Sequence, residues 1–143
     1  MRILVDADAC PNKDEIEKIC IKYKIELLLF MDYCHVCKSE YAKVFIIDKG
    51  KDSVDIALIN KTNEGDLVIT QDYGLAVMAL GKKAKALNPK GFFYSEENMD
   101  RLLFERYLGQ KERRKGNRFG KNKKRKSDDT NKFINAIISW IES

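Results

Sequence analysis

Long apolar runs are missing from this chain of 143 residues. No stretch approaches the roughly 20 residues that a membrane-spanning helix needs, so a soluble globular protein is the default reading. The first apolar stretch is short and is interrupted at once by Asp6 and Asp8, which is not the pattern of a signal peptide. A cytoplasmic protein is expected, with its four cysteines as reduced thiols. The chain has one histidine, His35, in a stretch without periodicity and with no nucleophile motif nearby, which argues against Ser-His-Asp chemistry. A glycine-rich phosphate loop is absent. Cys34-His35-Val36-Cys37 supplies at most half of a tetrahedral zinc site. Of the other two cysteines, Cys20 falls on a predicted helix face and Cys10 follows the acidic motif, so free thiols are preferred over zinc.

What the chain does have is charge, unevenly placed. Residues 111 to 126 contain ten Lys or Arg and one acid, Glu112. That segment carries about +9 and leaves about −4 on the remainder, within a total of +5. An acidic body beside a basic segment suggests a site for cations next to an arm for polyanions. The alternative is a solvated loop that only aids solubility.

The apolar pattern alternates between short runs and helical spacing. Ile3 to Val5 reads as a buried strand ending in Asp6 and Asp8. Pro11 suits the first turn of a following helix, with Ile16, Ile19, Cys20 and Tyr23 on its inner face. Further strands are expected at Ile25–Met31, Lys43–Asp48, Asp66–Thr70 and Ala84–Leu87, and Phe92–Tyr94 suggests a short edge strand. Helices are expected from about Ser53 to Asn63, from Gly74 to Gly81, and after Ser95. Phe133, Ile134, Ile137, Trp140 and Ile141 predict a last helix at about 129–142 that must dock on the rest. The expectation is one domain over 1–143: a three-layer α/β/α fold with a mostly parallel central sheet. A basic, mobile loop at about 111–127 would be tethered at both ends.

In such a sheet, Asp6, Asp8 and Asp72 emerge from strand ends on one edge, where ligands of open α/β sheets collect. Asp52, just before its helix, and Asp55, in the first turn, can share a face and add two more carboxylates. Converging carboxylates repel one another, and a divalent cation relieves that penalty. Mg²⁺ or Mn²⁺ suits oxygen ligands and lowers the pKa of bound water at a phosphodiester. The candidate set is therefore Asp6, Asp8, Asp55 and Asp72 for catalysis, with Asp52 as a further metal ligand. Thr70 and Asn88 stand at strand ends as substrate-binding candidates. Arg113, Arg114, Lys115, Arg118, Lys121, Lys123, Lys124, Arg125 and Lys126 would hold phosphates, with Phe119 available to stack on a base. Each acid alone also has a bland reading: Asp52 and Asp14 as helix caps, Asp72 as a turn residue with Gly74.

Several motifs together resemble a known family. Val5-Asp6-Ala7-Asp8-Ala9-Cys10-Pro11, Asp52-Ser53-Val54-Asp55, Gly65-Asp66-Leu67-Val68-Ile69-Thr70-Gln71-Asp72 and Ala86-Leu87-Asn88-Pro89-Lys90-Gly91 occur in the order seen in the small bacterial YaiI/YqxD family. The resemblance implies a fold related to PIN-type and NYN-type nuclease domains. It also implies an acidic Mg²⁺ or Mn²⁺ site and nucleic acid as partner, RNA ahead of DNA. After Asp55 this chain has Ile56-Ala57-Leu58 where many members carry further polar residues, which implies a sparser site. Two alternatives stand beside a metal-dependent ribonuclease. One is a non-catalytic nucleic-acid-binding protein of the same fold. The other is a phosphatase of haloacid-dehalogenase type, suggested by Asp6-Ala7-Asp8.

Overall fold

The computed structural model describes residues 1–7, 10–32, 39–47, 50–100, 108 and 127–143, with residues 50–52 and 127 as backbone only. Its centre is a five-stranded sheet: β1 (Arg2–Asp6), β2 (Glu26–Asp32), β3 (Lys43–Ile47), β4 (Leu67–Ile69) and β5 (Lys85–Leu87). The order is β3-β2-β1-β4-β5, and every pairing is parallel. Helices α1 (Lys13–Tyr23), α2 (Gly50–Lys61) and α3 (Tyr73–Gly81) connect the strands. A fourth helix, α4, is described from 96 to 100, and α5 (Ser127–Glu142) closes the described chain.

Parallel strands buried on both faces need unbroken apolar sequence, and β1, β2 and β4 have it. Alternate residues point to opposite faces. Ile3, Val5, Leu27, Leu29, Leu67 and Ile69 pack under α1 and α5, against Ile16, Ile19, Phe133, Ile137 and Trp140. Leu4, Leu28, Phe30, Val68 and Ala86 pack on the other side, against Val54 and Leu58 of α2, Leu75 and Ala79 of α3, and Met99 of α4. The result is the expected α/β/α sandwich, and the last helix docks as its apolar stripe requires.

The boundaries moved for local reasons. Pro11 is not in the first turn. Asn12 adopts a left-handed conformation (φ 64°), so α1 starts only at Lys13. Helix α2 begins at Gly50, which puts Asp55 beyond the first turn. Ser95 accepts from the Asn98 amide at 3.2 Å, as a residue at the start of a helix does. Phe93 makes an antiparallel bridge to Leu87, so the expected edge strand is a single bridge.

At the edge where the strands begin, Arg2 reaches the nearly buried Asp66 at 2.9 Å, and the same carboxylate accepts from the Asn63 amide at 2.8 Å. That acid is structural. Past the other end of β5, Asn88 builds a tight turn. Its side-chain oxygen accepts from the Lys90 amide and its carbonyl from the Gly91 amide, both at 2.8 Å. Gly91 has φ +99°, and a Cβ there would sit 2.5 Å from that of Lys132. The turn and α5 are therefore in backbone-level contact. Among the described residues, no helix is long and apolar enough to cross a membrane.

Candidate functional site

The connections leave β1 toward β2 and β3 on one side, and β4 and β5 lie on the other. The order reverses between β1 and β4, and the crevice at such a reversal is where open α/β sheets bind ligands. Asp6 ends β1 there. The register Val5↔Ile69 puts Thr70 beside it, just past β4. Asp6 and Thr70 share the alternation of Leu4 and Val68, so both belong to the face covered by α2 and α3.

Asp6 is only 5% exposed, and Thr70 1%. The Thr70 hydroxyl donates to Asp6 Oδ2 at 3.2 Å and accepts from the Asp72 amide at 2.9 Å. One hydroxyl thus fixes both the carboxylate on β1 and the backbone that starts α3. This gives Thr70 a positioning role, whereas its place at a strand end suggested contact with substrate. Asp72 Oδ1 accepts from the Gly74 and Leu75 amides at 2.8 and 3.4 Å, a helix cap with a carboxylate at the positive end of α3. The bland reading of Asp72 is therefore true of one oxygen. A cation would have to use Oδ2.

Behind this pair stands Tyr94. Its hydroxyl donates to the Thr70 carbonyl at 3.1 Å and accepts from Asn88 Nδ2 at 2.8 Å. Burial holds the Tyr94 phenol above its usual pKa, against the opposing effect of the Asn88 hydrogen bond, and Asp72 adds to the rise. Both ends of the Asn88 amide are occupied, by Lys90 and Tyr94, so Asn88 builds the turn that supports Thr70.

Asp55 is half-buried, with Oδ1 fully removed from solvent, on a helix that packs against β1, β2 and β3. Its neighbours Val54 and Leu58 anchor that helix in the core. Asp8 lies outside the described residues. So do the side chain of Asp52, residues 34–37, and the basic segment with Arg113, Arg114, Lys115, Arg118, Phe119, Lys121, Lys123, Lys124, Arg125 and Lys126. Among the described residues, no three His, Cys, Asp or Glu side chains stand close enough to hold a metal ion. The donors fit a hard cation in kind, since they are carboxylate and hydroxyl oxygens. Among the described residues their number falls short of a metal site.

Two residues join the site that sequence reading passed over. Asp32 ends β2 on the same alternation as Leu28 and Phe30, hence on the same face and edge as Asp6. Its signal was an apolar run ending in an acid, the same signal that marked Asp6. Lys13 Nζ donates to the Ala7 carbonyl at 3.0 Å, which puts a cation just past the end of β1. It is the second residue after Pro11.

A family model described as "Uncharacterized BCR, YaiI/YqxD family" matches residues 4–143. The chain belongs to the YaiI/YqxD family. Curated relatives of this YaiI/YqxD chain are similar over nearly their whole length. The UPF0178 protein of Ruminiclostridium cellulolyticum is 51% identical over 99% of this chain and 93% of its own. The UPF0178 protein NT01CX_0440 of Clostridium novyi is 47% identical over 99% and 95%. That of Clostridium kluyveri is 51% identical over 99% and 93%. No solved structure matches the chain.

Proposed function

We propose that this protein is a metal-dependent nuclease that hydrolyses RNA phosphodiesters at the β1/β4 crevice. The observation that carries the reading is Asp6. It is a nearly buried carboxylate at the sheet's reversal point, oriented by a buried hydroxyl. Open α/β sheets bind ligands in the crevice at that reversal, and carboxylate oxygens are the ligands that hard cations prefer. A strand end that keeps such a group fits a place where it binds something.

Asp6 would hold Mg²⁺ or Mn²⁺ together with one of Asp55 and Asp72, and Asp8 and Asp52 would supply the remaining ligands. When bound, the cation supplies charge neutralisation and a lowered pKa for water near the scissile phosphate. The chain's own groups do the rest. Thr70 keeps Asp6 in one rotamer. Asp72 ties the start of α3 to the same edge. Lys13 brings positive charge to the end of β1. The Lys and Arg residues of 111–126 would attract the strand's phosphates, and their number predicts steep salt dependence.

The test is cleavage of a fluorescently end-labelled RNA with Mn²⁺ or Mg²⁺, compared among wild type, Asp6→Asn and Asp72→Asn. Loss of divalent-dependent cleavage in both variants, with folding retained by circular dichroism, supports the reading. Undiminished cleavage in Asp6→Asn refutes it. Turnover of small phosphomonoesters with an aspartyl-phosphate trapped on Asp6 would replace it with the phosphatase reading. A second reading, nucleic-acid binding without cleavage, draws on the fact that no three acids stand at ligand spacing among the described residues. It predicts salt-dependent RNA binding by full-length protein and no cleavage with either ion.

A further inference from the structure

A cavity of about 610 Å³ lies beside β5, lined by residues 93–96 and the end of α5; Tyr94, one of its walls, also reaches the Thr70 carbonyl. Lys85, the first residue of β5, lines it, so it opens toward the edge where the strands begin. The acids stand at the other edge. Its size falls in the range of small-molecule sites, roughly 300–1,000 Å³. Phe93 and Trp140 give it aromatic walls, and Ser95, Ser139, Glu96 and Lys85 contribute polar groups.

Trp140 is the only tryptophan of the chain and is 7% exposed. Its indole presents a flat aromatic face with an N–H donor on its edge. A ligand suited to these walls is flat and aromatic, with an acceptor on its edge for the indole and hydroxyl groups for the serines and Glu96. The exposed Lys85 ammonium at the rim asks for an anionic group outside the cavity. A nucleobase joined to a ribose phosphate has all of these features. A plain hydrocarbon would leave Lys85 and the serines unanswered, and a free phosphate would leave the aromatic walls unused.

We propose that this cavity is a nucleotide-binding site, with the base against Phe93 and Trp140 and the phosphate at Lys85. The nucleotide is either free or part of an RNA strand. The two sources share one recognition chemistry. The proposal uses none of Asp6, Asp8, Asp52, Asp55 and Asp72 and needs no cleavage.

The single tryptophan makes the test direct. Full-length protein in EDTA is titrated with AMP, with a short oligoadenylate, and with ribose 5-phosphate as a control for phosphate alone. A saturable change in Trp140 emission with AMP identifies a free-nucleotide site. A change with the oligoadenylate only identifies a strand subsite. No saturable change with either, or an equal response to ribose 5-phosphate, overturns the proposal. Phe93→Ala is expected to weaken binding roughly tenfold, the usual effect of removing one stacking ring. Should that variant fail to fold, Ser139→Leu fills the mouth from an exposed helix position and should abolish the response. Unchanged affinity in a folded variant of either kind overturns the site. Asp6→Asn should bind as wild type does, so a failed nuclease reading and a failed nucleotide site are told apart.

Discussion

Gly91→Ala tests how firmly the C-terminal helix is seated on the sheet. A Cβ at Gly91 would lie 2.5 Å from Lys132 Cβ, 2.8 Å from the Lys132 carbonyl carbon and 2.8 Å from the Phe133 nitrogen. Carbon atoms prefer separations of about 3.5–4.0 Å, so the helix backbone must retreat by roughly 1 Å. Overpacking of this kind costs about 1–3 kcal/mol. A non-glycine residue at φ +99° adds strain of about 1–3 kcal/mol. The alternative is to release α5, which exposes Phe133, Ile137 and Trp140. At about 1.5–3 kcal/mol for each buried side chain, release costs about 5–9 kcal/mol. A shifted but docked helix is therefore the cheaper outcome, with a total loss of about 2–6 kcal/mol. Gly65→Ala isolates the strain, because Gly65 also has positive φ (+86°) but a Cβ there meets nothing within 4 Å. Urea unfolding, followed by circular dichroism and by Trp140 emission, should rank the proteins wild type, Gly65→Ala, Gly91→Ala in falling stability. The gap between the two variants, about 1–3 kcal/mol, measures the contact. Equal losses in the two would refute the seating of α5 on Gly91. Red-shifted Trp140 emission in native buffer would show release instead.

Three further outcomes follow from other parts of the molecule. Tyr94→Phe removes a hydroxyl shared by the Thr70 carbonyl and Asn88 and should cost about 1–3 kcal/mol by urea unfolding near neutral pH. Because the folded-state pKa of Tyr94 is raised, its contribution is whole below the ordinary value of 10.0 and is lost as pH climbs through the folded value. The stability gap between wild type and Tyr94→Phe should therefore narrow in strong alkali, and a gap that widens there contradicts the assignment. Cys20 is buried and its thiol is pushed up to about 12, by burial first and then by Glu17. Peptide mapping after iodoacetamide should find Cys20 unmodified in folded protein and modified after unfolding; early labelling would place it at the surface. Deleting residues 111–126 should flatten the salt dependence of RNA affinity by several units of log–log slope, measured by fluorescence anisotropy. An unchanged slope would assign that segment to solubility alone.

The fold was legible where burial leaves a periodic trace. Unbroken apolar runs at Ile3–Val5, Leu27–Met31 and Leu67–Ile69 gave the central strands, since only strands covered on both faces stay apolar throughout. The stripe from Phe133 to Ile141 gave a helix with one face to hide. Helix starts were less legible. Asn12 turns left-handed before α1, and α2 begins at Gly50, three residues early. Both are backbone choices that apolar spacing does not record.

For the site, residue types spoke and partners did not. An acid after an apolar strand marked Asp6 from the sequence alone. The sequence could not show that Thr70 holds Asp6 or that Asn88 supports Thr70 through Tyr94. Those are contacts between residues up to 64 positions apart. The longest of them, Thr70 to Asp6, exists only because β1 and β4 are neighbours in the sheet. Asp32 shows the same limit: its acid-after-strand signal was present, but only the pairing of β1 with β2 puts it on Asp6's edge and face. By itself the sequence determined the family, through the order of its motifs, and the alternation of strands and helices and the acids that follow apolar runs, because these last follow from spacing along the chain. Strand order and parallel register decided which of those acids share a crevice, because side chains meet across strands, at distances that chain spacing does not encode.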